Sequence, residues 1–456
     1  MSPGTAVTNR HFQEDEPNTY SSFELGTELQ SIPEPDGGRQ AWLVLAGCAV
    51  IQAPVWGTLL KYVNNFRRSP ITGFGLAFGV LQQYYASHSD ELRGDVKSVP
   101  IIGTTATGIL YCCSPLTFAV LSRWPKLRRF FGPVGLAIST ASLIASTFVS
   151  SVSALIATQG VLNAIGCGLL FAPTTLYLDE WFIRRKGIAY GLMWAGKSLD
   201  GAVFPFIMDF MLRSLGWKNT LRIWAAAMFA LTAPLLFFLR PRIPISQSTR
   251  PRPLSLTFLR HKDFWMLEVG NIMQSFGYFL PQTFLSSYAV SLGTSPMVGA
   301  AILAIFNATS ICGNIGIGIL NDHMAVTSVV LFSSIGSAIA VFLLWGFTSQ
   351  VALLIMYAIV YGVFAGGYSS TWSGIQTHLK RKSSSTDTGL VFGLLAGGRG
   401  IGNVISGPLS VALLTSDNWM HTGRSWAFNS EYGPLILFTG ATALCGACGS
   451  LLSLGR

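Results

Sequence analysis

Two places in this chain put charge where the surrounding residues are apolar. Lys197 and Asp200 stand three residues apart, which sets them on one face of a helix. Arg399 stands within Ala396-Gly397-Gly398-Arg399-Gly400-Ile401-Gly402-Asn403, with no acidic residue within one helical turn. A charge carried into hydrocarbon is expensive, so each such group is a candidate for binding or proton transfer. The Lys197/Asp200 pair has two readings, a solute or proton site and a self-neutralising pair. Arg399 calls for an anion, a carbonyl cluster or water, and a carboxylate would match its forked donors. Glu268, Asn271, Gln274 and Tyr278 recur at helical spacing, and Asn307 and Asn314 lie seven residues apart in the next apolar stretch. These would line a polar cavity, although amides inside a bundle also serve as plain interhelical hydrogen bonds.

The elements that must carry these groups are membrane helices. Of 456 residues, 50% are hydrophobic and 11% charged, against about 25% charged in soluble proteins. Apolar segments run over 41–57 with 74–86, then 98–122, 132–150, 154–177, 187–212 and 220–239. After a break they resume over 264–291, 297–320, 326–347, 350–373, 388–415 and 434–454. At roughly 20 residues per span this predicts twelve transmembrane helices, an all-α polytopic membrane protein. Residues 1–39 are polar and read as a disordered cytosolic tail, 40–239 and 264–456 as six-helix halves, and the Pro/Arg-rich 240–263 as a cytosolic linker. Loops assigned to the cytosol hold sixteen Lys and Arg against six outside, with both termini cytosolic. The formal charge of +10 therefore reflects topology and not nucleic-acid binding.

Residues 58–73 (TLLKYVNNFRRSPITG) break the first span with Lys61, Asn64, Asn65, Arg67 and Arg68. Removing them restores one continuous apolar helix, so we read them as a non-native insertion, a translated short intron. The seven cysteines all fall in apolar spans and read as packing residues, including the Cys445/Cys448 pair. The six histidines lie in loops or the tail without metal-ligand spacing, and no nucleophile–base arrangement is visible. No enzyme activity, metal or cofactor is expected.

The segment 179–196 joins two spans through Arg184-Arg185-Lys186 and then runs through Gly191 and Ala195-Gly196, small residues that admit a neighbouring helix. With Trp181-Phe182 ahead of it, this block resembles the monocarboxylate porter family of the major facilitator superfamily, especially its fungal branch. A second mark of that family, an acidic-Gly-Gly lead and a Trp before the first helix, reads here as Asp36-Gly37-Gly38 and Trp42. The resemblance covers nearly the whole chain. It implies the major facilitator fold, twelve helices in two six-helix halves, and a monomeric plasma-membrane secondary transporter of small organic molecules.

Three departures bear on mechanism. The superfamily's Asp in the loop after the second helix is Ser122 here, while Asp322 survives in the other half, so the latch that these loops form should be weaker or different. The eighth span lacks the ionisable pair of proton-coupled relatives and offers Asn307, Ser310 and Asn314, and the first span lacks their lysine. These losses favour an exporter of a metabolite or organic anion, with proton-coupled uptake of a monocarboxylate as the alternative. A non-transporting nutrient sensor is the competing class. A proton is the candidate coupling ion, which the sequence does not identify.

Overall fold

The computed structural model describes residues 33–56, 93, 100–243, 252–414 and 426–454. They form helices almost throughout, and a lone bridge between Arg93 and Ser151 is the only β pairing among them. We label the helices α1 (Gly38–Trp56), α2 (Pro100–Cys112), α3 (Ser114–Arg123), α4 (Arg128–Ser146), α5 (Val152–Trp181) and α6 (Lys186–Phe238). After residue 251 follow α7 (Lys262–Ser291), α8 (Pro296–His323), α9 (Val326–Trp345), α10 (Val351–Lys382), α11 (Thr388–Leu414) and α12 (Gly433–Leu454). Nine helices among the described residues are long and apolar enough to cross a membrane. Residues 58–73 fall outside the described residues.

Local chemistry explains the breaks. Gly216 takes φ 73°, a left-handed conformation that glycine adopts without penalty, and turns α6 back on itself. Pro115 follows the break between α2 and α3, because its ring and missing N–H prevent an unbroken helical ladder there. A 3₁₀ turn at Gly367–Ser370 tightens α10 in mid-course.

Two seams bring helices from before residue 244 against helices from after residue 251: α6 on α8, and α11 on α2 and α3. Both are built on glycine, which lets backbones touch where hydrocarbon gives helices no hydrophobic reason to associate. A Cβ at Gly191 would stand 2.5 Å from the Asn314 carbonyl oxygen, and one at Gly397 would stand 2.6 Å from Pro115. The close packing expected of the Gly191–Gly196 run is therefore present. Phe148 and Phe237, 75% and 77% exposed, belong to an outer surface that is apolar like a core.

Two expectations change. Residues 33–39, expected within the tail, are described and engaged, since Asp36 is bonded and Gly38 begins α1, while residues 1–32 fall outside the described residues. The cysteines are not all interior packing residues. Cys48 and Cys167 are buried, but Cys112, Cys312, Cys445 and Cys448 are exposed, since apolar side chains on a lipid-facing surface cost nothing.

Candidate substrate cavity

At the centre, α6 contributes Lys197 and Ser198, α7 Tyr278 and Gln282, and α8 Asn307 and Asn314 to one small polar cavity. Its open space is about 10 Å³, roughly the room for one water.

Lys197 sits with Nζ 4.5 Å from the Trp56 ring centroid and 5.7 Å from that of Trp194. No ion pair joins it to Asp200 among the described residues, so the self-neutralising reading gains no support. Trp56 and Trp194 as the ammonium's neighbours were not foreseen, because nothing in sequence links position 56 to 197. Asn314 holds three elements together: its Nδ2 donates to Ser198 Oγ (3.2 Å) and the Ser310 carbonyl (2.9 Å), and its Oδ1 accepts from Ser370 (3.1 Å). Asn307 donates to its own helix, to the Leu303 carbonyl at 3.0 Å.

The α7 row divides. Tyr278 reaches the cavity, whereas Glu268, Asn271 and Gln274 turn onto α11 and are not among the residues that line it. Asn271 donates to the Leu395 carbonyl at 2.8 Å and accepts from Trp372 Nε1 at 3.2 Å. Glu268 is buried against Gly398 and accepts from Asn271 at 3.4 Å. Gln274 Oε1 takes a hydrogen bond from Arg399 Nη1 at 3.0 Å. Helical spacing placed these residues together correctly. It could not say which neighbour they face.

At the end of the molecule that carries the basic triplet, carboxylates organise the approach to α6 and its first turn. Asp36, at φ 62°, accepts the N–H groups of Ile183, Arg184 and Arg185 at 2.8–2.9 Å. Asp322 of α8 accepts those of Gly187 and Ile188 at 2.6 and 2.9 Å. Gly187 and Ile188 lie in the first turn of α6 and have no partner in their own helix, and the dipole adds to the attraction, whereas Ile183 to Arg185 precede that helix. Lys186 pairs with Asp179, and Arg128 with Glu180 at 2.5 Å. Trp181 Nε1 donates to the Arg240 carbonyl, and Trp42 packs edge-on against Phe182 with 5.8 Å between ring centroids. Most of the motif residues thus hold the loop before α6 in shape. At the start of α11, Ser122 donates to Asp387 at 3.2 Å and Thr388 to Asp179 at 2.5 Å. A cavity of about 540 Å³ opens at this end, with Arg184, Lys186, Arg242, Lys380 and Arg381 among its walls.

A family model of the Major Facilitator Superfamily matches residues 91–406 and 267–448. The MFS-type transporter pynF of Aspergillus niger is 28% identical over 432 residues, 94% of this chain and 92% of that protein. The aspyridones efflux protein apdF of Emericella nidulans is 27% identical over 339 residues, 74% of this chain and 65% of its own length. The fujikurins efflux protein of Gibberella fujikuroi is 22% identical over 419 residues, 91% and 83% of the two chains.

Proposed function

This chain belongs to the Major Facilitator Superfamily and is an integral multi-pass membrane protein, and from that premise we propose that it exports a small organic metabolite from a fungal cell by alternating access. The observation that carries this reading is the small polar cavity lined by Lys197, Asn307 and Asn314. Helices from both sides of the linker wall it, and Asp322 of α8 ties the two sides together at the start of α6. An alternating-access carrier needs a central site that opens to one face at a time, with gates made where its repeats meet. Relatives named for efflux of aspyridones and fujikurins set the direction.

In this reading the chain has twelve spans in two six-helix halves, 40–239 and 264–456, joined by a cytosolic linker over 240–263. Both termini are cytosolic, the protein is a monomer in the plasma membrane, and a proton is the coupling ion, without other cofactor. The Asp36–Trp42 and Trp181–Gly196 blocks support kinship with the monocarboxylate porter-like branch. Lys197 with Asn307 and Asn314 meets the solute; Asp200 and Glu268 are the carboxyls available to carry the proton.

Comparing metabolites inside cells and in the medium, between a deletion strain and its parent, tests export. The deletion strain should retain one or more organic metabolites that the parent releases. Identical distributions, or loss of uptake from the medium, would overturn the proposal.

A further inference from the structure

Arg399 is fully buried in α11, with 0% of its surface exposed. Only one of its donors is used well, Nη1 to Gln274; among the described residues Nε and Nη2 have no geometric hydrogen-bond partner. The Tyr111 hydroxyl lies beside the guanidinium, and Nδ2 of Asn403, one turn further along α11, is unpartnered among them too. Glu268 is spent on Asn271 and makes no ion pair with Arg399 among the described residues. Polar groups that can donate therefore gather here without a matching acceptor.

Rings surround the cation. Its carbon stands 4.1 Å from the Tyr278 centroid, 5.6 Å from Phe279, 5.9 Å from Tyr368 and 6.0 Å from Trp372. Cation–π attraction offsets part of the cost of burying a guanidinium, but it leaves the N–H edge unanswered. Tyr278 also lines the central cavity, so its ring stands between that cavity and Arg399.

We infer that Arg399 seats the acidic group of a flat, conjugated organic anion, which makes the exported solute an aromatic or enolic weak acid carried as its anion. This rests on the export reading and names its substrate class. A carboxylate or enolate brings two acceptors to the free Nε/Nη2 edge, where the planar fork binds them side by side. The attached ring extends from that edge in the plane of the fork, among the aromatic side chains around Arg399, and Tyr278 swings aside to admit it. Lys197 has no such free edge and already lies over Trp56 and Trp194, so it attracts the anion without fixing its orientation.

The test uses the full chain in lipid nanodiscs, with 2-naphthoate and the neutral 2-naphthamide as probes and tryptophan fluorescence as the readout. The native chain should bind naphthoate saturably and about tenfold more tightly than the amide. Arg399→Gln should erase that preference. Arg399→Lys should keep it with reduced affinity, since a point charge replaces a fork. Tyr111→Phe should weaken naphthoate about threefold without changing the melting temperature. Equal binding of acid and amide to the native chain, no saturable naphthoate binding, or an unchanged preference in Arg399→Gln would overturn the inference. Should Arg399→Gln not fold, Tyr278→Ala takes its place: it must speed naphthoate association relative to the amide, and equal acceleration of both overturns the seat. Export is read separately. Arg399-dependent binding with no metabolite retained by the deletion strain would sink export and leave the anion seat. Retention of neutral metabolites alone, with no charge preference in binding, would do the reverse.

Discussion

Two helices begin at the basic end of the molecule, and they are held in opposite ways. The start of α6 is capped from elsewhere: Asp36 precedes α1, Asp322 comes from α8, and together they take five N–H groups between Ile183 and Ile188. The start of α11 is capped from within, because Asp387 accepts the Leu390 N–H at 3.1 Å. Across its seam Ser122 donates to Asp387 and Thr388 to the Asp179 carboxylate. Both seams therefore carry charge-assisted bonds, but the donors to Asp322 are backbone N–H groups fixed by the helix, whereas those at α11 are rotatable hydroxyls. The α6–α8 seam is on that ground the firmer gate and the α11–α3 seam the looser one. An opening that pivots on the first and parts at the second follows from that difference.

The largest effect should come from Asp322→Ala, which leaves two first-turn donors of α6 unpaired inside the seam. Each lost charged hydrogen bond is worth about 1.5–3 kcal/mol. In a background free of the seven native cysteines, a cysteine at Ala189, buried behind those bonds, should react with a membrane-impermeant maleimide about tenfold faster. Unchanged labelling would show that glycine packing alone holds this seam.

Ser122→Asp comes next and runs against the family pattern. Restoring the missing acid places a second carboxylate beside Asp387, which already serves the helix start. Like charges at that spacing repel. A reporter cysteine at Leu390 should label several-fold faster, in the manner of a broken latch. Slower labelling would mean that the two seams are equivalent after all.

Asp36→Ala separates loop shape from gating. The Asp36 carboxylate bonds to the turn before α6 and its N–H to the Trp181 carbonyl at the end of α5, and Asp36, α5 and that turn all precede the linker. The melting temperature should fall, by an amount matching a lost helix cap of about 1–2 kcal/mol. Labelling at Ala189 should not change. A rise there would tie the N-terminal lead to the gate.

The same contrast marks what was legible in the sequence. Span positions were legible because hydropathy dictates them: α7, α8, α9, α11 and α12 begin and end within a few residues of the apolar segments, whereas α6 runs through two of them and α10 continues nine residues beyond 373 to Lys382. The loss of the acid at Ser122 was legible as well. Its consequence was not, since Asp387 is unremarkable in sequence until α11 is seen to begin behind it. Arg399 announced itself by isolation among glycines, but its ring cage comes from α7 and α10. Glu268, Asn271 and Gln274 were legible as a row, while their turn toward α11 depends on an interhelical rotation that periodicity does not encode.

The smallest predicted effect concerns a third helix start. Asp263, in the first turn of α7, meets His378 at 2.9 Å and also Lys382, both on α10. These two neighbours hold its carboxyl below the usual carboxylate range, with burial opposing them. A carboxyl with a lowered folded value stabilises the fold above its unfolded value, about pH 3.9, and loses that contribution as pH falls through the folded one. The Lys382 side chain is 46% exposed, so solvent screens much of the interaction. The melting-temperature gap between the native chain and a Lys382→Gln variant should thus be small and level above about pH 5. It should close below about pH 3 and shrink in high salt. Because α7 and α10 both follow the linker, labelling at Ala189 and Leu390 should stay put throughout. If it moves with this pair, the difference between the two seams reflects general loosening of the basic end and not two distinct gates.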